Sequence, residues 1–125
     1  MIAALSAWHE RHEDSADALA AVTAVPGHVV LEAFSVLTRL PGGLAVEPRS
    51  AADLLRRRFA GSPLLLDGEQ RALVLDRLAD AGVSGGATYD GLVALEAAAH
   101  GETLLTLDER AQATYRRLGV AYRVL

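Results

Sequence analysis

Apolar residues recur at three- and four-residue spacing through most of the chain, which is the pattern of amphipathic helices packed on a core. The segment 29–40 is the clearest case, because Val30, Phe34, Leu37 and Leu40 form one stripe before a Pro-Gly-Gly breaker. The same spacing, bounded by breakers or capping residues, predicts further helices at residues 15–25, 50–60 (starting at Ser50 or Arg49), 69–81, 89–100 and 109–118.

Three short apolar runs between these helices have the length of buried strands, at residues 64–66, 103–107 and 120–125. Helices that alternate with short, largely apolar strands are typical of α/β proteins with a parallel sheet. We therefore expect one α/β domain over residues 1–125, a three-layer sandwich whose parallel sheet is covered by helices on both faces.

Two of the predicted helices also indicate which side chains face the core. The 69–81 helix can be capped by Asp67 and ended by Gly82, with its apolar stripe at Ala72, Leu75, Leu78 and Ala79. The 89–100 helix has Gly101 as its natural C-terminal stop, and its candidate packing positions are Leu92, Leu95, Ala98 and Ala99.

Composition narrows the class of protein. A chain of 125 residues with 51% hydrophobic content can bury roughly two thirds of its unfolded surface as a single domain. It lacks both an uncharged apolar run of about 18 residues and the pattern of a signal peptide, so a cytoplasmic protein is expected. Because the chain contains no cysteine, a metal site would need oxygen or imidazole ligands.

Charge argues against a protein that coats nucleic acid. The formal net charge is −4, whereas non-specific affinity for nucleic acid depends on many cations that neutralise phosphates. The densest basic run is Arg56, Arg57 and Arg58, with Arg49 upstream. We interpret that run as a solvated helix face without a catalytic role.

Three carboxylates stand in apolar or small-residue surroundings, and each has a structural explanation. Glu32 falls in the first turn of the predicted 29–40 helix, where negative charge is favoured, with His28 as a possible partner. Asp90 falls in the first turn of the helix after Thr88, where the same effect applies. Asp108 comes after a predicted strand and precedes a predicted helix, which is the position of an N-cap.

Taken together, the three carboxylates predict a metal site. In a parallel α/β sheet, the carboxyl ends of strands and the N-termini of the following helices converge on one edge, which favours proximity of Asp90 and Asp108. Glu32 would have to reach them through tertiary packing. Clustered carboxylates repel one another unless they are protonated or bound to a cation, so we expect magnesium, or manganese, at the cluster.

The residues around these carboxylates resemble a known family over nearly the whole chain. Residues 82–90, which end in Thr-Tyr-Asp, and the Leu-Thr-Leu-Asp run at 105–108 look like its third and fourth acidic motifs. Glu32, in a helix that ends in Leu-Thr-Arg-Leu-Pro, matches its second acidic position, and residues 2–12 look like the segment after its first motif. The chain thus resembles PIN-domain ribonucleases, and most closely the VapC-type toxins of bacterial toxin-antitoxin pairs.

This resemblance implies a magnesium-dependent endoribonuclease that uses water to attack an RNA phosphodiester in line. Asp90 and Asp108 would be metal ligands, and Glu32 would either bind the metal or orient the water at it. The resemblance also implies a cognate antitoxin as partner, an RNA substrate and a homodimer.

One departure from the family concerns the first motif. Family members open with a strand rich in Val and Ile that ends in a metal-binding Asp, and neither is found after Met1. We therefore expect that the true start lies upstream and that this chain lacks the first central strand. The alternative is a catalytically inactive, truncated PIN-like module that only binds a partner. A PIN-like DNA nuclease is a third reading, disfavoured by the small size and the lack of helical arches.

Overall fold

The computed structural model describes residues 22, 24–61 and 63–124. Eight of the eleven residues of the predicted 15–25 helix and the whole 2–12 segment lie outside these ranges. The three described residues of that helix, Val22, Ala24 and Val25, are not helical, so its predicted end at residue 25 is wrong. The chain divides into two units, Met1–Pro63 and Leu64–Leu125, and each is described by itself. Among the helices of the described ranges, none is long and apolar enough to cross a bilayer.

The described residues of the first unit form two helices, α1 (Gly27–Thr38) and α2 (Pro48–Arg58). The first begins two residues earlier than its apolar pattern predicts, directly after Pro26. The second begins with proline at its first position, which suits a residue without an N–H. Its N-cap is Glu47, whose carboxylate accepts hydrogen bonds from two backbone N–H groups, those of Arg49 and Ser50.

The two helices pack through small and aliphatic side chains. Ala33 and Leu37 of α1 meet Ala51 and Leu55 of α2 in a buried cluster. Partly buried apolar residues surround this cluster, namely Val30, Phe34, Leu40, Val46 and Phe59. The stripe predicted for the 29–40 helix therefore does face a core, but only Leu37 of its four members is buried. The fully buried Ala33 lies outside the predicted stripe.

The second unit begins with two short helices where one was predicted. Residues 69–81 form α3 (Gly68–Ala72) and α4 (Val74–Asp80), separated at Leu73. The predicted cap is confirmed, because Asp67 accepts from the backbone of Gln70 while the Gln70 side chain accepts from the backbone N–H of Asp67.

The predicted apolar stripe of this segment is wrong in most of its members. Leu75 is 77% exposed, and both alanines of the stripe are exposed as well. The buried pair is Val74 and Leu78, which also stand four residues apart. Two sets of apolar residues in this segment have helical spacing, and the structure buries the set that contains the β-branched Val74.

The longest helix of the chain's described part is α5 (Ala87–Ala99), which ends near Gly101 as predicted. Gly101 has a φ of +68°, in the left-handed region that glycine adopts without strain. Leu95 is buried and Leu92 is half-buried, whereas the two predicted terminal alanines, Ala98 and Ala99, are exposed. The buried face instead runs through Gly91, Val93, Ala94 and Ala97, together with Glu96.

Two strands form a parallel pair in the second unit, β1 (Leu104–Thr106) and β2 (Tyr122–Val124), with α6 (Gln112–Leu118) between them. Leu104 is paired with Tyr122, and Thr106 with Val124. The α/β class and the parallel pairing are as predicted. The strand predicted at 64–66 is not formed. Leu65 is 55% exposed there, and its carbonyl accepts a hydrogen bond from His100 Nε2 at 2.7 Å.

Candidate functional site

Asp90 lies in the first turn of α5, as the sequence predicts. The helix begins at Ala87, directly after the glycine pair Gly85 and Gly86, and Gly85 has a φ of +59°. The Asp90 side chain is half-buried at this helix N-terminus. A carboxylate there gains about 0.3–1 kcal/mol from the helix dipole.

Asp108 lies two residues beyond β1, where two hydrogen bonds shape the turn. Its backbone N–H donates to Thr106 Oγ1 at 3.0 Å, and its Oδ1 accepts from the backbone N–H of Arg110 at 2.9 Å. The next helix begins only at Gln112, so Asp108 is not its N-cap and the capping explanation is wrong. The carboxylate instead stabilises a turn and remains about half exposed.

Thr106 is a residue of this turn that the sequence reasoning did not single out. It is buried, with 5% of its surface exposed, although it is polar. Its hydroxyl has a defined task, because it accepts the hydrogen bond that holds the backbone of Asp108. The sequence does contain a pattern that could have identified this residue. It is Thr-x-Asp at the end of a predicted strand, in which a polar residue occupies a position that faces the core.

Glu32 lies in the second turn of α1 and not in the first, because this helix begins at Gly27. The prediction that a helix N-terminus explains its charge is therefore wrong. The predicted partner is confirmed, since His28 Nε2 lies 2.8 Å from Glu32 Oε1 one turn earlier. The Glu32 side chain is 35% exposed, so this carboxylate is accessible at the helix surface.

The three carboxylates belong to different parts of the chain. Asp90 and Asp108 lie in the unit Leu64–Leu125, and Glu32 in the unit Met1–Pro63. Within either unit, the described residues contain no group of three Asp, Glu, His or Cys side chains that could hold a metal ion. A joint site of all three carboxylates therefore stays a prediction.

The chemistry of the carboxylates fits a hard divalent cation. Magnesium prefers oxygen ligands, keeps several waters, and is commonly bound in proteins through only one or two carboxylates. Asp90 and Asp108 offer two such groups, both at least partly accessible to solvent and both within one unit. Glu96 is a further carboxylate of α5, but it is 5% exposed and lies on the helix face that packs into the core.

Comparison with known proteins adds a second kind of observation. The sequence profile of the PIN domain matches residues 1–117. The chain is 44% identical over 118 residues to Ribonuclease VapC27 of Mycobacterium tuberculosis strain H37Rv, covering 94% of this chain and 79% of that protein. It is 40% identical over 120 residues to Ribonuclease VapC40 of strain CDC 1551, covering 96% and 90% of the two chains. No solved structure gives a significant match.

Proposed function

This chain belongs to the PIN-domain family, and from that membership we propose that it is a metal-dependent endoribonuclease, the toxin of a toxin-antitoxin pair. The observation that carries the proposal is the 44% identity, over 118 residues, to a relative whose name is that of a ribonuclease. The local structure of Asp90 and Asp108 supports it, because each carboxylate has a defined position at a helix start or a strand end.

Asp90 and Asp108 would hold a magnesium or manganese ion through their carboxylate oxygens. When bound, such an ion supplies a nucleophile from water at neutral pH and stabilises the charge that develops on the RNA phosphodiester. Asp108 presents its carboxylate from a turn that is fixed by Thr106 and by the backbone of Arg110. Glu32, held by His28, would serve either as a further ligand or as the group that orients the attacking water.

The proposal includes partners and location. The VapC names of the relatives support a cognate antitoxin, and the antitoxin would restrain cleavage until it is removed. We further propose that the enzyme works in the cytoplasm as a homodimer on structured or single-stranded RNA. The alternative, a non-catalytic module that only binds a partner, would bind the antitoxin without cleaving RNA under any condition.

The decisive experiment is a cleavage assay with the purified protein, including any residues encoded in frame upstream of Met1, and end-labelled RNA, in magnesium, in manganese and in EDTA. Asp90→Asn and Asp108→Asn keep the size of the side chain and remove its charge. Each is expected to lower the single-turnover rate by at least about 100-fold, the scale on which an electrostatic catalytic group contributes.

A matched control shows whether a loss of cleavage is specific to the two site carboxylates or follows from the removal of any negative charge. Asp76→Asn makes the same change at an exposed residue in the first turn of α4, and it should cleave like the wild type. Undiminished cleavage by both site variants, or full cleavage in EDTA, would refute the proposal. Antitoxin binding without cleavage in any metal would favour the non-catalytic module.

A further inference from the structure

Helix α2 carries three of its four arginines on one solvent-facing side. Arg49 and Arg56 are seven residues apart, which is about two helical turns, and Arg57 lies within about 100° of both around the axis. The side chains of Arg49 and Arg56 are 62% and 73% exposed. The opposite side of the helix contains Ala51 and Leu55, which are buried against α1. We call the side formed by Arg49, Arg56 and Arg57 the basic face of α2.

The basic face keeps a net positive charge after its internal ion pairs are counted. Asp53 is its single acidic residue, with Oδ1 at 3.4 Å from Arg49 Nε and 3.8 Å from Arg56 Nη1. One carboxylate therefore lies within ion-pair distance of two guanidinium groups. Arg57 is exposed and makes no hydrogen bond or ion pair with the residues that the structure describes. Three positive charges against one negative charge leave a surplus of two within the face, on a chain whose overall charge is −4. The N-cap carboxylate of Glu47 also attracts Arg49, so the unbalanced positive charge lies at Arg56 and Arg57.

The helix that carries this face is firmly held. Its N-terminus is closed by the Glu47 cap and by proline at its first position. Its buried side belongs to the cluster that ties it to α1. Arg58, on a different side, is placed over the ring of Phe59 with 5.2 Å from its guanidinium carbon to the ring centroid. The charges of the basic face are therefore presented from a rigid element.

We propose that the basic face of α2 binds the phosphate backbone of the RNA substrate. Guanidinium groups suit this task because they match phosphate oxygens in a bidentate manner and remain charged at any physiological pH. From Arg49 to Arg57 the face extends about 12 Å along the helix, so it can meet more than one phosphate of a strand. The proposal rests on the proposed ribonuclease function, and it assigns substrate binding to residues distant in sequence from Asp90 and Asp108.

The positive charges of this face exceed its negative charges. Helix surfaces that serve solubility usually intersperse both signs, and cations in the last turn also complement the helix dipole. Here the surplus is concentrated in the last turn, where Arg56 and Arg57 are adjacent. Such a surplus attracts polyanions, and the attraction is weakened by salt through release of counterions.

The test measures binding of a fluorescein-labelled single-stranded RNA oligonucleotide to the full chain in EDTA, at several salt concentrations, with gels to verify that the RNA stays intact. For single strands the slope of log affinity against log salt is about −0.7 per neutralised phosphate. The double variant Arg56→Gln/Arg57→Gln is therefore expected to bind more weakly at low salt, with a slope that is smaller by about 1.4. Its fold is checked by circular dichroism and thermal unfolding.

Two further variants make the test specific. Arg71→Gln/Arg77→Gln removes the same number of exposed arginines from α3 and α4 and should keep the wild-type slope. Asp53→Asn removes the acidic residue of the basic face and should tighten binding at low salt, an increase that a damaged fold cannot produce.

The outcomes separate this inference from the proposed function. An unchanged slope for the α2 double variant, an equal loss in the control pair, or no RNA binding by the wild type would overturn the basic face as a phosphate-binding surface. None of these results depends on whether Asp90→Asn still cleaves RNA. The proposed function fails only on that cleavage assay.

Discussion

The hydroxyl oxygen of Thr106 accepts a hydrogen bond from the backbone N–H of Asp108 at 3.0 Å. A buried side chain at the end of β1 thus fixes the turn that presents an exposed carboxylate. A second hydrogen bond in the same turn runs from the backbone N–H of Arg110 to Asp108 Oδ1 at 2.9 Å. The next helix begins four residues after Asp108 and does not use it as a cap.

Replacing Thr106 with valine keeps the shape of the side chain and removes the acceptor. We expect Thr106→Val to lower the free energy of unfolding by about 0.5–1.5 kcal/mol, the net contribution of one hydrogen bond. The cleavage rate should fall as well, since Asp108 loses its fixed position. Urea denaturation and single-turnover cleavage measure the two effects.

The control for this change is Thr106→Ser, which retains the hydroxyl. It should recover most of the cleavage rate even though it loses a buried methyl group. If valine and serine variants cleave equally fast, the Thr106 hydrogen bond has no part in positioning Asp108.

Mutation can separate a functional role of Glu32 from its contact with His28. The pair is partly exposed and stands one turn apart, so it contributes only about 0.2–0.5 kcal/mol to stability. Glu32→Gln should therefore leave the thermal midpoint nearly unchanged while it abolishes most RNA cleavage. His28→Ala removes the same contact and should reduce cleavage far less. Equal cleavage by the wild type and Glu32→Gln would reduce Glu32 to a surface partner of His28.

Local hydrogen bonds and helix positions were predictable from the sequence wherever one or two residues determine them. Asp67 caps its helix as predicted because the Asp-x-x-Gln spacing alone forms a reciprocal pair of hydrogen bonds. Asp90 occupies a first helical turn because two glycines precede it. The contact between His28 and Glu32 is a consequence of their four-residue separation.

Burial was harder to predict where two apolar patterns overlap. Leu75 fits a helical stripe with Leu78, yet Val74 with Leu78 fits equally well, and the structure buries the second pair. The run of three leucines at 64–66 has the composition of a strand, but no hydrogen-bonded ladder forms along it and Leu65 is instead fixed by His100. Such choices depend on contacts between distant residues, which periodicity does not encode.

The N-cap of α2 gives a prediction for pH. The backbone N–H of Arg49, followed by that of Ser50, lowers the pKa of the Glu47 carboxyl below its ordinary value of 4.5. A folded-state pKa that is depressed stabilises the fold above the unfolded pKa, and this stabilisation is lost as pH falls through the folded value. Glu47→Ala should therefore have a lower thermal midpoint than the wild type at pH 7, and the difference should shrink as pH falls below about 4.5.

Asp53→Ala serves as the control for this pH effect, because it removes a carboxylate from the same helix without removing the cap. Thermal unfolding of the three proteins between neutral pH and pH 3 provides the comparison. A Glu47→Ala deficit that stays constant over this range would show that the ionised cap contributes nothing.

Gly91 links packing to the candidate site, because it comes directly after Asp90 in α5. A Cβ added at Gly91 would lie closer than van der Waals contact to Leu78 Cδ2 and would also touch Leu118 Cδ1 at 3.5 Å. Leu78 is itself buried and has little room to move. Overpacking costs about 1–3 kcal/mol, of which alanine's higher helix propensity offsets up to about 1 kcal/mol. Gly91→Ala should therefore destabilise the protein by about 1 kcal/mol net.

The matched control is Gly68→Ala in α3, where an added Cβ meets nothing within 4 Å. That change should leave stability equal or raise it by about 0.4–1 kcal/mol, because alanine reduces the entropy of the unfolded chain. Urea denaturation of both variants gives the comparison, and cleavage assays add a functional readout. Since a shift of α5 would also displace Asp90, Gly91→Ala should cleave RNA more slowly than Gly68→Ala. Equal stability of the two variants would mean that Leu78 adapts without cost and that the close packing at Gly91 does not constrain the site.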